Sequence, residues 1–200
     1  MTLALTQKEV AEYARKNKYA MLMFHDAGSD YFACRCCILN GLHTGFRLAS
    51  EAVEKLLKAF IYLATGSKTN VKRDGLHNPY VLKQELTTAH PDQKLDGFDD
   101  LLKTLHDHYQ SRYFDNPTTG KGASSKELDQ IDELFLYLAE TLPMPDEVKY
   151  RGGFFTSLCD ENSRKHWRNY YWATAHNRAL EPKMKSIEHT YQQVLKHLYP

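Results

Sequence analysis

Three of the chain's four cysteines fall within "YFACRCCILNGLH", where Cys34 and Cys37 stand in C-x-x-C spacing and His43 follows six residues later. Thiols one helical turn apart can share a zinc ion or cycle as a redox pair. A structural zinc site closes with about four Cys, His or carboxylate ligands. Cys159 is the remaining thiol, and no second C-x-x-C or H-x-x-x-H completes such a set. A redox C-x-x-C opens a helix beside a β-α-β pattern, which this sequence lacks. Free cysteine is among the side chains most often buried. Cys34 and Cys37 are therefore expected to pack a core, with neither metal nor other cofactor.

The surrounding elements read as helix after helix. "TQKEVAEYARKNK" opens with Thr6 and Glu9 in capping-box spacing. A run from a Ser29 cap to a Gly66 stop, about 36 residues, repeats apolar side chains at threes and fours through Ile38, Leu42, Phe46, Val53 and Phe60. Gly41 and Gly45 are the places where it would bend or admit a close neighbour. Pro79 suits the first turn of a short helix, residues 97–113 form another, and Ser124 with Glu127 caps the next. "PMPDEVKYRGG" reads as a linker, followed by two helices over 163–198 joined near Pro182. No segment alternates with period two, so the expected fold is all-α, a helical bundle with an irregular insert in a single domain over residues 1–200.

Composition adds bounds. Hydrophobic residues make up 42% of the chain, and no stretch approaches the apolar length of a membrane span. The N-terminus lacks a basic flank followed by an apolar block, so no secretion signal is expected and the cytoplasm is the expected compartment. The formal net charge of +1 conceals segregation. Residues 1–84 carry +5, residues 85–147 carry −9 and residues 148–200 carry +5. The acidic middle either packs against the basic flanks or leaves a basic surface that attracts phosphate.

The stretch "ASEAVEKLLKAFIYLATG", residues 49–66, carries a small-residue face followed by Glu54-Lys55 and Leu57-Lys58-Ala59. It is followed by "GLHNPYVLKQEL", residues 75–86, with His77, and by "HYQSRYFDNP", residues 108–117. In this order and spacing the three stretches resemble signature segments of the HEPN superfamily of helical, often RNA-associated prokaryotic domains. Leu76 separates His77 from its glycine, and Phe114 stands where some members have proline. The resemblance spans roughly residues 29–117 and implies a HEPN-type bundle, completed by the C-terminal helices.

Many HEPN proteins are metal-independent ribonucleases with an arginine and a histidine separated by four to six residues. The nearest match is "RNYYWATAH", in which Arg168, followed by Asn169, precedes His176 by eight positions. On a straight helix that step places the two about 12 Å apart along the axis and about 80° around it. RNA supplies its own nucleophile, the 2′-hydroxyl. Cleavage then needs an acid or base near neutrality, as histidine provides, and a cation against the phosphorane charge, as arginine provides. Arg164, Lys165 and His166 would extend a phosphate-binding patch, with Asn169 and Tyr170 beside it.

The resemblance implies a protein that binds RNA or nucleotide phosphate, non-catalytic or weakly catalytic, within a toxin–antitoxin or defence-type system. Its expected company is a nucleotidyltransferase-like partner protein and a second copy of itself in a homodimer, with no membrane association. The alternatives are a metal-independent endoribonuclease using Arg168 and His176, and a helical adaptor with no nucleic-acid role.

Overall fold

The computed structural model describes residues 5–66, 77–110, 125–160 and 174–200. Every regular element among these residues is helical, and they form an all-α bundle. In chain order the helices are α1 (Gln7–Lys16), α2 (Lys18–Leu39), α3 (Thr44–Thr65), α4 (Pro79–Ala89), α5 (Asp99–Gln110), α6 (Ser125–Thr141), α7 (Asp146–Lys149), α8 (Gly153–Cys159) and α9 (Met184–Leu198). Short 3₁₀ turns at Asp96–Phe98 and Glu181–Lys183 lead into α5 and α9.

Local chemistry explains several boundaries. At the start of α1 the Thr6 hydroxyl accepts from the Glu9 amide, and the Glu9 carboxylate accepts from the Thr6 amide at 2.8 Å. This reciprocal box satisfies two donors that a helix start leaves open. Asn78 caps α4 by accepting from the Tyr80 amide at 3.0 Å, with Pro79 in the first turn where a missing N–H is harmless.

The continuous helix expected from Ser29 to Gly66 is instead the end of α2, a tight link and the whole of α3. Ser29 lies inside α2, its hydroxyl donating to the His25 carbonyl at 3.4 Å. The break falls at Gly41, whose φ of 72° lies in the left-handed region that glycine enters without steric penalty. There the amides of Asn40, Gly41 and Leu42 turn back onto the carbonyls of Cys37 and Ile38. The apolar pattern runs unbroken because both arms of the hairpin face the same core. Gly66 does end α3, in a left-handed conformation.

Gly45 is the contact point between the arms. A Cβ there would lie 2.8 Å from the Cys34 carbonyl oxygen and 2.5 Å from the Ile38 side chain. Cys34 itself is fully buried, and burial pushes its thiol well above the usual cysteine range. It packs, as expected, whereas Cys37 is only partly buried. The segment read as a linker carries α7, and α8 follows it.

The core collects on α2, which packs against α3, α6 and α8. Phe24, Tyr31 and Phe32 of α2 meet Phe135 of α6 and Phe154 and Phe155 of α8. Tyr31 lies stacked on Phe135 with ring centroids 4.0 Å apart, and edge-on to Phe154. The two chain ends are tied together, since the Gln7 side chain on α1 donates to the Leu198 carbonyl at the end of α9.

The two glycines separate two mechanisms. Gly41→Ala meets open space but must hold a left-handed backbone, and is expected to lower stability by about 1–2 kcal/mol. Gly45→Ala drives a methyl into backbone of α2 and is expected to cost about 1–3 kcal/mol. Urea unfolding of the two variants measures both, and a Gly45→Ala protein as stable as wild type would contradict the close approach.

Candidate functional site

Arg164, Lys165, His166, Arg168, Asn169 and Tyr170 lie outside the described residues. His176, the other half of the expected pair, lies within them. Thr174 is helical, Ala175 and His176 form a turn, and His176 has φ 57°. It is the one residue other than glycine in the left-handed region among those described. The straight-helix geometry anticipated for the pair does not apply at His176, which lies in a turn, while Arg168 is outside the described residues.

The residues on either side of His176 are held from the core. Arg35 on α2 donates through one guanidinium nitrogen to the Ala175 carbonyl and through another to Asp132 Oδ2 on α6. Asn177 donates to the Tyr31 hydroxyl at 2.7 Å, and that hydroxyl donates to Asp132 Oδ1 at 2.7 Å. The Asn177 side-chain oxygen accepts from the Leu180 amide at 2.8 Å, starting the turn that leads toward α9. Arg35, Tyr31 and Asp132 show no solvent-exposed surface, and Asn177 almost none. His176 is exposed and, with Thr174, Asn177, Leu180, Glu181 and Met184, lines a cavity of about 310 Å³.

Burial raises the Asp132 carboxyl to about 6 even though Arg35 and the two hydrogen bonds pull it down. The Tyr31 phenol is pushed well above its usual value by burial and by the Asp132 charge. A hydroxyl that stays protonated can serve as both acceptor for Asn177 and donor to Asp132.

A second polar cluster gathers residues of the signature-like stretches. On α3, Glu54 Oε1 pairs with Lys58 one turn on and accepts contact from His77 Nδ1 at 3.0 Å, just before α4. Glu54 and Lys58 are buried, whereas the His77 side chain is 62% exposed and lies near-parallel to the Tyr109 ring on α5. Glu54 Oε2 is buried without a partner among the described residues.

Part of the charge segregation resolves into internal pairing among those residues. The acidic middle supplies Asp132 to Arg35, Asp96 and Asp99 to Lys83, Glu140 to Lys183 and Asp129 to Arg178. Among the described residues no group of three or more His, Cys, Asp or Glu side chains is arranged to hold a metal. None of their helices is long and apolar enough to cross a membrane.

The sequence reasoning passed over Arg35, Tyr31, Asp132 and Asn177, although two of them carry a legible signal. Arg35 is the single charge in "YFACRCCIL". Asp132 shares a face with Leu128, Phe135 and Ala139 on α6, where the period calls for apolar side chains. A charge at a core register is a request for a partner.

No family model, curated protein or solved structure matches the chain.

Removing one member of a buried ion pair leaves the other uncompensated, a loss of about 3–5 kcal/mol. Arg35→Met is expected to lose that much at pH 7. Asp132, already raised, then moves higher and holds its proton in the folded state. The folded protein binds more protons than the unfolded chain, so stability falls as pH rises from about 4 upward and recovers in acid. Arg35→Met/Asp132→Leu, which removes both charges, is expected to regain most of the loss at pH 7. Urea unfolding at pH 5 and pH 7 measures both effects, and a double variant no better than Arg35→Met would contradict the pairing.

Proposed function

We propose that this chain is a HEPN-like helical protein that binds RNA or nucleotide phosphate. On this reading it works with a partner in a toxin–antitoxin or defence-type system and is at most weakly catalytic. The observation that carries the reading is the convergence of Glu54, Lys58 and His77. They come from two separate signature-like stretches and meet in one hydrogen-bonded cluster. Such a cluster has a chemical use. Glu54 fixes one ring nitrogen of His77 and leaves the exposed imidazole free to present its other nitrogen to a phosphate oxygen or a 2′-hydroxyl. The helical architecture supports the same reading. A homodimer and a nucleotidyltransferase-like partner protein belong to the proposal on the strength of the resemblance alone.

A specific observation favours the second reading, a metal-independent endoribonuclease using Arg168 and His176. His176 is exposed at a cavity, with both neighbours fastened to buried groups. An imidazole in that position can exchange a proton with a ribose hydroxyl while an arginine balances the phosphorane.

Phosphate recognition releases counterions, so affinity for a mixed-sequence single-stranded RNA is expected to fall steeply between 50 and 200 mM salt, by about tenfold or more. His77→Ala is expected to weaken binding several-fold. Filter binding checks both, and affinity indifferent to salt would leave the adaptor reading in place. Incubating the same RNAs in EDTA separates the two nucleic-acid readings. Cleavage by wild type that is lost in His176→Ala identifies the ribonuclease, and intact RNA with retained binding favours the non-catalytic protein.

A further inference from the structure

The buried groups around His176 are arranged as two struts that share one anchor. The first runs from Asp132 through the Arg35 guanidinium to the carbonyl of Ala175. The second runs from the other oxygen of Asp132 through the Tyr31 hydroxyl to the side chain of Asn177. They reach the residues immediately before and after His176, so the backbone of that one residue is set by α2 and α6 from both sides. The φ it adopts is disfavoured for any side chain with a Cβ, and glycine would hold it with less strain. Packing alone does not require the struts either, because apolar side chains of similar volume fill a core without desolvating a guanidinium and a carboxylate.

Two unfavourable features thus meet at one exposed imidazole, and that imidazole faces a cavity. At about 310 Å³ the cavity lies at the lower end of the small-molecule range, the size of one nucleotide unit. Its lining offers an apolar wall from Leu180 and Met184, and Thr174 and Glu181 as polar groups. A carboxylate such as that of Glu181 can accept hydrogen bonds from sugar hydroxyls or base amino groups, and an imidazole such as that of His176 can serve a hydroxyl or phosphate oxygen. Strained residues over-determined by their surroundings cluster where a ligand is held.

We infer that Tyr31, Arg35, Asp132 and Asn177 are positioning residues that seat His176 at this cavity as its contact to a single ribonucleotide unit. The inference deepens the reading of His176 as part of an RNA-handling site and rests on it. Tyr31, Arg35 and Asp132 do not line the cavity, and Asn177, which does, is held through the Tyr31 hydroxyl. All four act through the backbone of Ala175, His176 and Asn177, in the way that a site gains precision from groups that lock its contact residues.

The test uses the full chain, a ten-nucleotide mixed-sequence single-stranded RNA, and the His176 imidazole resonances, assigned by their absence in His176→Gly. Tyr31→Phe keeps the stacked ring and removes the hydroxyl that joins Asn177 to Asp132. It is expected to remain helical by circular dichroism, to shift the His176 resonances and to bind the RNA about tenfold more weakly. Leu102→Val, a core truncation on α5, is expected to lower the melting temperature without moving those resonances or the affinity. His176→Gly relieves the backbone strain, and is expected to melt higher than wild type while losing at least tenfold in affinity. Asn177→Ser serves in place of Tyr31→Phe if the latter does not fold, with the same expectation. Unmoved His176 resonances in Tyr31→Phe, or wild-type affinity in His176→Gly, would overturn the inference. Absence of RNA binding by wild type would instead remove the functional reading, and the resonances would still decide whether the struts set the seat.

Discussion

The Arg35–Asp132 ion pair sits where an all-helical core would ordinarily hold two apolar side chains, and much of the molecule is arranged to accommodate it. Both charges are withdrawn from water. A buried pair persists only when its remaining hydrogen-bonding capacity is met. Tyr31 meets part of that demand at Asp132, and the Ala175 carbonyl meets part at Arg35. Satisfying the pair therefore requires three elements at once, namely α2, α6 and the turn that precedes α9. That requirement ties the turn before α9 to the bundle.

The same demand explains the aromatic surroundings. Tyr31 can deliver its hydroxyl to Asp132 only if its ring is clamped, and Phe135 and Phe154 clamp it from the face and the edge. Phe154 follows Gly153 in the first turn of α8 and lies against α2 at Gly28. The hairpin of α2 and α3 carries the constraint outward. Close approach at Gly45 sets α3 against α2, and α3 holds Glu54, on which Lys58 and His77 converge. The two polar clusters are thus mounted on adjoining arms of one hairpin. One surrounds an exposed histidine through its side chain, the other through its backbone.

Legibility in the sequence followed the range of the interactions. The helical class, the Thr6 capping box and the Pro79 start depend on residues a few positions apart, and these were readable. The break at Gly41 was not, because an apolar stripe with helical period looks the same whether one helix or a hairpin bears it. Glycine permits the turn without announcing it. The pairing of acidic and basic segments could be stated as a layout but not as partners, since Arg35 and Asp132 are 97 residues apart. His176 was picked out through the Arg168 spacing, whereas what distinguishes it in the structure is a left-handed backbone held from both sides. Nothing local in "WATAHNRAL" encodes that conformation. It follows from Asn177 and Ala175 answering to Tyr31 and Arg35, far away in the chain.

A buried network anchored on Asp132 governs the turn bearing His176, and amide hydrogen exchange reads that turn directly. The amides of Asn177, Leu180 and Glu181 all donate within it, to Thr174, Asn177 and Asn177 respectively. Residue-resolved exchange in wild type and Tyr31→Phe should show protection lost at these three amides while the amides of α2 and α6 keep theirs. Equal protection of the three amides in both proteins would contradict the account, as would a uniform loss along the whole chain.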